Sequence, residues 1–596
     1  MRILTNHVGY EPGRHLRAVL QGRQGETVTG FTAHRAADGE MVASGRAVLT
    51  GPVSGWKDWH FWAADFALAD EGRYYLECRA GDGVARSQPF LVQAGVLERQ
   101  TLSNVLFYLK GQRCSGPLDQ ADRSLPLEDG DGRRVDLHGG WYDAGGDYGK
   151  HLSHLSYATY FNPQQITLVA WSLLRSHEAL ARRGEASFRQ LERRLLDEAS
   201  YGADYLTRTR VAGGSFYRSV SSPGPEKRPE DRLVRAERLG YLVHTDRTRD
   251  QLSRGELALM ATSNPYQVSF RSGGGMAVAA LARAAGLGLA GDYGPQQYLA
   301  AAREAFAYLT AHGPSLTSDG RENIIDDYTA LLAATELWRA TGEEGYREAA
   351  AARARALLAR LVPAGEGEAY WAADDGDRPF FHPSDAGLPA IALLGYLPLA
   401  GPAERAEVLD GVRRSLRHEL RLTAEVNNPF GYARQYVQSA AGERRTCFFF
   451  PHDTETAPWW QGENARLGSL AAAARLASAR GGDDPALGAA LEEHAWNQLS
   501  WILGRNPYDS CMLHGSGHDH PEYLFFASYE YANAPGGICN GITAGVDDEA
   551  DVDFNLRAVD TGIDNDWRWT EQWIPHGAWY LLAVSLGSGG QGEESE

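Results

Sequence analysis

The stretch HGGWYDAGGDYGKH, residues 138–151, carries five glycines, three aromatics and two aspartates four positions apart. Glycine loses more conformational freedom on folding than any other residue, so a run this rich in it is justified only where the backbone must take unusual angles. Such a segment can barely form regular structure. Two carboxylates held close repel, and each changes the other's affinity for protons. Asp143 and Asp147 therefore read as a pair placed for a task. A metal site would need further hard ligands, which Trp141, Tyr142 and Tyr148 supply poorly. A pair that holds a water and takes its proton needs none. A solvated loop is the bland alternative, but it leaves Trp141 and Tyr142 directly before an acid unexplained.

Outward from this stretch the chain has two textures. Up to about residue 95 it runs in short alternating segments broken by Gly, Pro and Asp: LRAVL, TVTGFTA, HFWAADFAL, GRYYLECRA and SQPFLVQA. In GRYYLECRA, residues 72–80, Tyr74, Leu76 and Cys78 fall on one face and Tyr75 and Glu77 on the other, as in a half-buried strand. The repeated pattern predicts a small immunoglobulin-like β-sandwich over 1–95. After residue 97 the periodicity becomes helical. Twelve helices are expected, near 98–113, 163–183, 188–209, 273–287, 296–312, 323–341, 345–361, 384–398, 402–419, 463–480, 484–503 and 573–587. An α-solenoid would show a repeated motif, and these segments share no period, which leaves an (α/α)6 barrel of six inner and six outer helices over 96–590. The fold class is thus mainly α, with residues 591–596 a disordered tail. The long connections 213–268 and 504–572 hold most of the unusual residues, where function usually concentrates.

The glycine-rich stretch closely resembles the GGWYDAGDHVKF signature of glycoside hydrolase family 9. Members of that family combine an (α/α)6 barrel with, often, an N-terminal immunoglobulin-like domain, in the order and sizes expected here. The resemblance implies that Asp143 and Asp147 orient and deprotonate the water attacking the anomeric carbon, with Asp147 the principal base because Lys150 follows it at the family's spacing. One extra glycine, Gly145 or Gly146, separates the two acids, and the division of labour between them stays open.

Inverting hydrolysis also needs a protonated carboxyl across the scissile bond, about 6.5–9.5 Å from the base. In DNDWRWTEQWIPHGAWYLLAVS, residues 564–585, Glu571 stands among Trp567, Trp569 and Trp573 before an apolar helical run. Indoles that exclude water raise a carboxyl pKa, although a Glu at a helix start is also favoured by the helix dipole alone. The resemblance implies that Glu571 is the catalytic acid, because the family places a Glu shortly before its last barrel helix.

A second island, FFFPHDTETAPWWQGENARLGSL at 448–470, is rich in groups that stack on sugar faces or bind hydroxyls. Tyr142, Asp453, Glu455, Trp459, Trp460, Glu463, Asn464 and Trp569 are the expected substrate contacts; a core-facing Trp pair and a helix start are the plainer reading. With NNPFGYARQY (427–436) and SFRSGGG (269–275), the island looks like the exo-acting branch of the family, which removes single glucose or glucosamine units. WILGRNPYDSCMLHGSGHDHP, residues 501–521, resembles the family segment beginning YILGxNP but has no HHR motif. The carboxylates Asp453, Glu455 and Glu463 could take a 2-ammonium group, and the extra glycine and the HDTETAPWWQGEN island resemble the glucosaminidase members, which implies release of glucosamine from short chitosan-type chains, with a β-glucosidase acting on cello-oligosaccharides as the alternative. A polysaccharide lyase or a non-catalytic sugar-binding protein are the alternatives of other classes.

Charge and composition exclude more. With 58 Lys and Arg against 77 Asp and Glu, a formal charge of −19 does not suit a nucleic-acid partner. No apolar run is long enough to span a membrane, and the N-terminus does not read as a secretory signal, so a cytoplasmic location is expected. Five scattered cysteines suggest neither a disulfide framework nor a thiolate metal site. His514, His518 and His520 lack a clear further ligand for zinc, and DDEADVDF (547–554) lacks the Gly and Glu of an EF-hand, so it reads as a solvated acidic turn. Neither metal nor cofactor is expected; the expected partner is a small oligosaccharide.

Overall fold

The computed structural model describes residues 1–81, 83–128, 130, 132–154, 160–222, 227–236, 265–317, 319–454, 461–480, 484–523, 533–557 and 567–587. Ten strands form the N-terminal sandwich: β1 (Arg2–Leu4), β2 (Gly9–Tyr10), β3 (Leu16–Arg23), β4 (Val28–Arg35), β5 (Met41–Gly45), β6 (Ala47–Gly51), β7 (Trp59–Phe66), β8 (Gly72–Ala80), β9 (Gly83–Arg86) and β10 (Phe90–Val92). One sheet has the order β1-β3-β7-β6; the other runs β2-β10-β8-β4-β5, with β9 also on β8. The alternation read in GRYYLECRA holds, since Tyr74, Leu76 and Cys78 join the buried layer between the sheets.

Twelve long helices follow among the described residues: α1 (Val96–Gly111), α2 (Ile166–Arg183), α3 (Arg189–Arg208), α4 (Gly275–Gly286), α5 (Pro295–His312), α6 (Ile324–Thr341), α7 (Glu344–Leu358), α8 (Leu388–Tyr396), α9 (Pro402–Ala424), α10 (Asn464–Ser478), α11 (Pro485–Ile502) and α12 (Ile574–Ser585). The even-numbered helices touch in sequence, α2-α4-α6-α8-α10-α12, and α12 returns to α2, closing a ring. Around it α3, α5, α7, α9 and α11 each lie on the helix that precedes them, and α1 lies on α12. Their sequences explain the layering. Inner α6 is buried without a break from Ile324 to Leu337, mostly apolar, with each of its buried acids Asp326, Asp327 and Glu336 paired with an arginine. Outer α3 buries only one stripe, from Leu191 through Leu195 and Ala199 to Leu206, and presents its arginines elsewhere.

The two parts share one core. Leu4, Val8, Val19, Val53, Trp56 and Phe61 of the sandwich belong to the same apolar cluster as the barrel helices. Trp56 packs among Phe430, Phe448, Phe449 and Trp501. Two sequence readings change here. DDEADVDF is a docking point as well as a turn: the Lys57 backbone N–H donates to Asp551 at 3.1 Å, and the Lys57 ammonium pairs with the same carboxylate. NNPFGYARQY also serves the interface, with the Asn427 amide donating to Pro52 O at 2.7 Å and Phe430 packed on Trp56. All five cysteines are free. Among the described residues no helix is long and apolar enough to cross a membrane.

Candidate active site

The glycine-rich stretch and the segment before α12 are joined edge to edge. Ala144 and Trp573 form an antiparallel bridge, Gly145 N–H donates to Gln572 O at 2.8 Å, and Ile574 N–H donates to Asp143 O at 3.2 Å. Two acids more than 400 positions apart in sequence are thus fixed on adjoining backbone. The bend between Asp143 and Asp147 is a tight turn in which Asp147 N–H reaches Ala144 O at 3.2 Å. Gly146 sits at φ 82°, a left-handed angle that strains any residue with a Cβ. Gly146 is therefore the glycine the turn requires.

The base of this loop is held by a buried ion cluster. The Lys150 ammonium donates to Leu137 O at 2.6 Å and Gly139 O at 2.7 Å and pairs with Asp122 at 2.6 Å. Arg232 pairs with the same Asp122 at 2.7 Å and donates to Tyr148 O at 2.6 Å. One carboxylate thereby ties together the two cations that clamp the start and the end of the stretch. Removing either partner would leave an uncompensated buried charge.

Asp143 is buried, and its Oδ1 accepts from Trp573 Nε1 at 3.0 Å and from Gln165 Nε2. Those donors stand directly before α12 and α2, so two inner helix ends aim at one carboxylate. Burial, then the charge of Asp147, push the Asp143 carboxyl well above the usual range. Asp147 is one-third exposed at its side chain. Its Oδ1 accepts from Gly149 N–H at 2.8 Å and from the Lys227 ammonium at 3.2 Å. Burial pushes this carboxyl up too, but Lys227, the nearby His151 and the Gly149 N–H outweigh it and hold Asp147 below the usual range. Burial, then repulsion from Asp143 and Asp147, push Glu571 well above it, and a hydrogen bond with Asn540 offsets only part of that. Asn540 is itself fixed by His576 Nε2 at 2.8 Å. The three carboxyls are thus differentiated, with an ionised Asp147 able to accept a proton and a protonated Glu571 able to give one.

His151 is buried, its Nδ1 lies 2.6 Å from Ser219 Oγ, and burial lowers its pKa to about 4. Donor atoms of Asp143, Asp147 and His151 lie within 4.8 Å of one another. The positive charge facing them is the Lys227 ammonium. His514, His518 and His520 do not converge on one point: His518 stacks on His7 with ring centroids 3.5 Å apart, and His514 packs against His520.

The expected sugar contacts divide. Tyr142 is 8 % exposed, its ring meets Tyr148 edge-on and its hydroxyl accepts from Ser115 N–H at 3.2 Å. Asp453 is half-exposed and accepts a two-point contact from Arg445. Three expectations require correction. Glu463 is fully buried, with Arg466 Nε at 2.9 Å, Gln435 Nε2 at 3.1 Å and Phe450 N–H at 3.1 Å on its carboxylate. Asn464 opens α10 and donates to Cys539 O at 2.8 Å inside the protein. Trp569 has no exposed surface and belongs to the barrel core. Glu455, Trp459, Trp460 and the tail 591–596 lie outside the described residues.

Gln165, Lys227, Asn540 and His576 complete the site and were not anticipated. Trp573 was anticipated only as an apolar neighbour of Glu571, whereas its indole N–H serves Asp143. Nothing in the local sequence marks Lys227, which lies 80 positions from its partner.

Residues 99–548 match the family model described as Glycosyl hydrolase family 9, and residues 1–82 match the Cellulase N-terminal ig-like domain. Endoglucanase 1 of Oryza sativa subsp. japonica is 31% identical over 142 residues, which is 22% of this chain and 20% of that protein. Endoglucanase 9 of Arabidopsis thaliana is 32% identical over 143 residues, 22% of this chain and 26% of that protein. These matches span only a fifth to a quarter of the relatives' lengths. Among solved structures, a metagenome-derived glycoside hydrolase family 9 endoglucanase superposes with a TM-score of 0.64 at 19% identity, covering 98% of each chain. A Bacteroides ovatus GH9 structure gives 0.64 at 19% identity, covering 98% of this chain and 99% of its own.

Proposed function

The chain belongs to glycosyl hydrolase family 9, and on that premise we propose that it cleaves β-glycosidic bonds by single displacement with inversion. Asp147 removes a proton from the attacking water, Asp143 holds that water, and Glu571 protonates the departing oxygen. The observation that carries this reading is the direct backbone pairing of the Asp143–Asp147 turn with the segment bearing Glu571. The opposite pKa directions of Asp147 and Glu571 support the assignment of base and acid.

We further propose that the substrate is a short chitosan-type oligosaccharide from which single glucosamine units are released at the non-reducing end. Support comes from the missing HHR motif and from the extra glycine of the Asp143–Asp147 turn, in which the sequence resembles glucosaminidase members of the family. Endo-action on β-glucan is the second reading, favoured by the relatives' being endoglucanases. Specificity constants on aryl β-glucosaminide and aryl β-glucoside, with product lengths from chitosan and cello-oligosaccharides, separate the two. Monomeric glucosamine as the first product, with the glucosaminide preferred, is expected. Mixed-length cello-oligosaccharides as first products would replace the exo reading with the endo one.

A further inference from the structure

At the end of the barrel remote from Asp143, the closing turns of α2, α4, α6, α8 and α10 surround a cavity of about 980 Å³. Its lining carries Arg175, Arg182, Arg283, Arg339 and Arg480 against the two carboxylates Glu178 and Glu336. Such a surplus of cations is out of character for a chain with a formal charge of −19.

Part of the surplus has a structural cause, because helix ends leave carbonyls unpaired and expose the negative pole of the dipole. Arg339 donates to Gly395 O at 3.0 Å, Arg480 to Leu476 O at 2.8 Å and Arg182 to Glu178 O at 3.2 Å. Arg283 uses its guanidinium on Glu336 at 2.7 Å and on Glu178. Both carboxylates are thereby committed.

Arg175 is not accounted for in this way. It is 9 % exposed, its Nε is buried with no hydrogen-bond partner, and its nearest ring contact is Trp171 at 5.7 Å. A buried donor without an acceptor costs free energy, more so when charged. The neighbouring Arg283 shows the same excess: burial, with repulsion from Arg175 and Arg339, lowers its pKa to about 9 despite Glu336.

We propose that this basin is an anion-binding site in which Arg175 takes a phosphate-class oxyanion, either free phosphate or a phosphate monoester. The planar guanidinium fork matches two phosphate oxygens at once, and the cavity has room for the organic body of an ester. Arg175 lies about 15 Å along α2 from Gln165, so the basin is separate from the hydrolytic site.

Calorimetric titration of the full chain with inorganic phosphate, and separately with glycerol 3-phosphate, at constant ionic strength tests this. Saturable one-site binding is expected, at least about tenfold weaker in R175M and intermediate in R175K. Tighter binding of the ester identifies a monoester as the occupant, and the reverse order identifies free phosphate. Turnover of an aryl glycoside, which Arg175 does not touch, checks that each variant is folded. Should R175M fail to fold, wild-type chain titrated with phosphate against chloride, together with R175K, still decides. Heats equal to those of chloride, or an isotherm unchanged in the variants, would overturn the proposal.

Discussion

Asp147 and Glu571 are both carboxyls in one pocket, and what separates them is company. Asp147 has the Lys227 ammonium and the Gly149 N–H on one oxygen, whereas Glu571 has burial and two like-charged neighbours. Activity should therefore fall as pH drops through the pKa of Asp147, when the base becomes protonated, and fall again as pH rises through that of Glu571, when the acid loses its proton. The groups facing Asp147 are Asp143, His151, Glu571 and Lys227; Lys227 is the largest influence lowering its pKa, with His151, whose own pKa burial lowers to about 4, the next. Lys227→Met should move the acid limb of kcat/KM upward and Lys227→Arg should leave it in place; coincident limbs in the two variants would show that the lysine only packs. Asp147→Asn should lower kcat by about 10²–10⁴ with little change in KM. Glu571→Gln should lose as much on oligosaccharides but less on an aryl glycoside whose leaving group needs no proton. Equal losses on both substrates would count against Glu571 as the acid.

At the scale of elements, the turn and the helices were legible to different degrees. The twelve helices stood out because inner ones such as α6 are largely apolar through their length and outer ones such as α3 carry a single stripe, and each expected range overlaps an observed helix. Short strands were harder. Met41–Gly45 is largely exposed and shows no inward alternation, so its sequence carries no strand signal, and the hairpin Gln435–Gln438 with Arg444–Cys447 was not anticipated. Glu463, Asn464 and Trp569 were read as sugar contacts because composition reveals a polar or aromatic group but not the Arg466 or Cys539 carbonyl that occupies it. The extra glycine is now resolved in physical terms. Gly146→Ala should cost about 1–2 kcal/mol and depress kcat by displacing Asp147. Gly145→Ala should leave both stability and turnover near wild type, because its added methyl group would meet Tyr523 and Gln572 only at ordinary contact distance. Thermal melts and turnover of the two variants check this, and equal damage would refute the assignment of the strained position.

Across the whole molecule, the sandwich and the barrel are built as one body around Trp56, which no exposed surface relieves. Trp56→Ala should destabilise the full chain by about 3–5 kcal/mol and lower Tm, read by calorimetry, because the ring leaves a cavity among Phe430, Phe448, Phe449 and Trp501. A separate early transition for residues 1–95 with barrel melting unchanged would contradict the shared core. That body brings the Asp143–Asp147 turn and the distant segment bearing Glu571 side by side, and in the mechanism proposed above water attacks from one face while a proton arrives from the other. The stereochemistry of the first product reports on that arrangement directly. Proton NMR of the reducing sugar released from a β-linked oligosaccharide should show the α-anomer first, with the β-anomer growing only by mutarotation; a β-anomer at time zero would contradict the account.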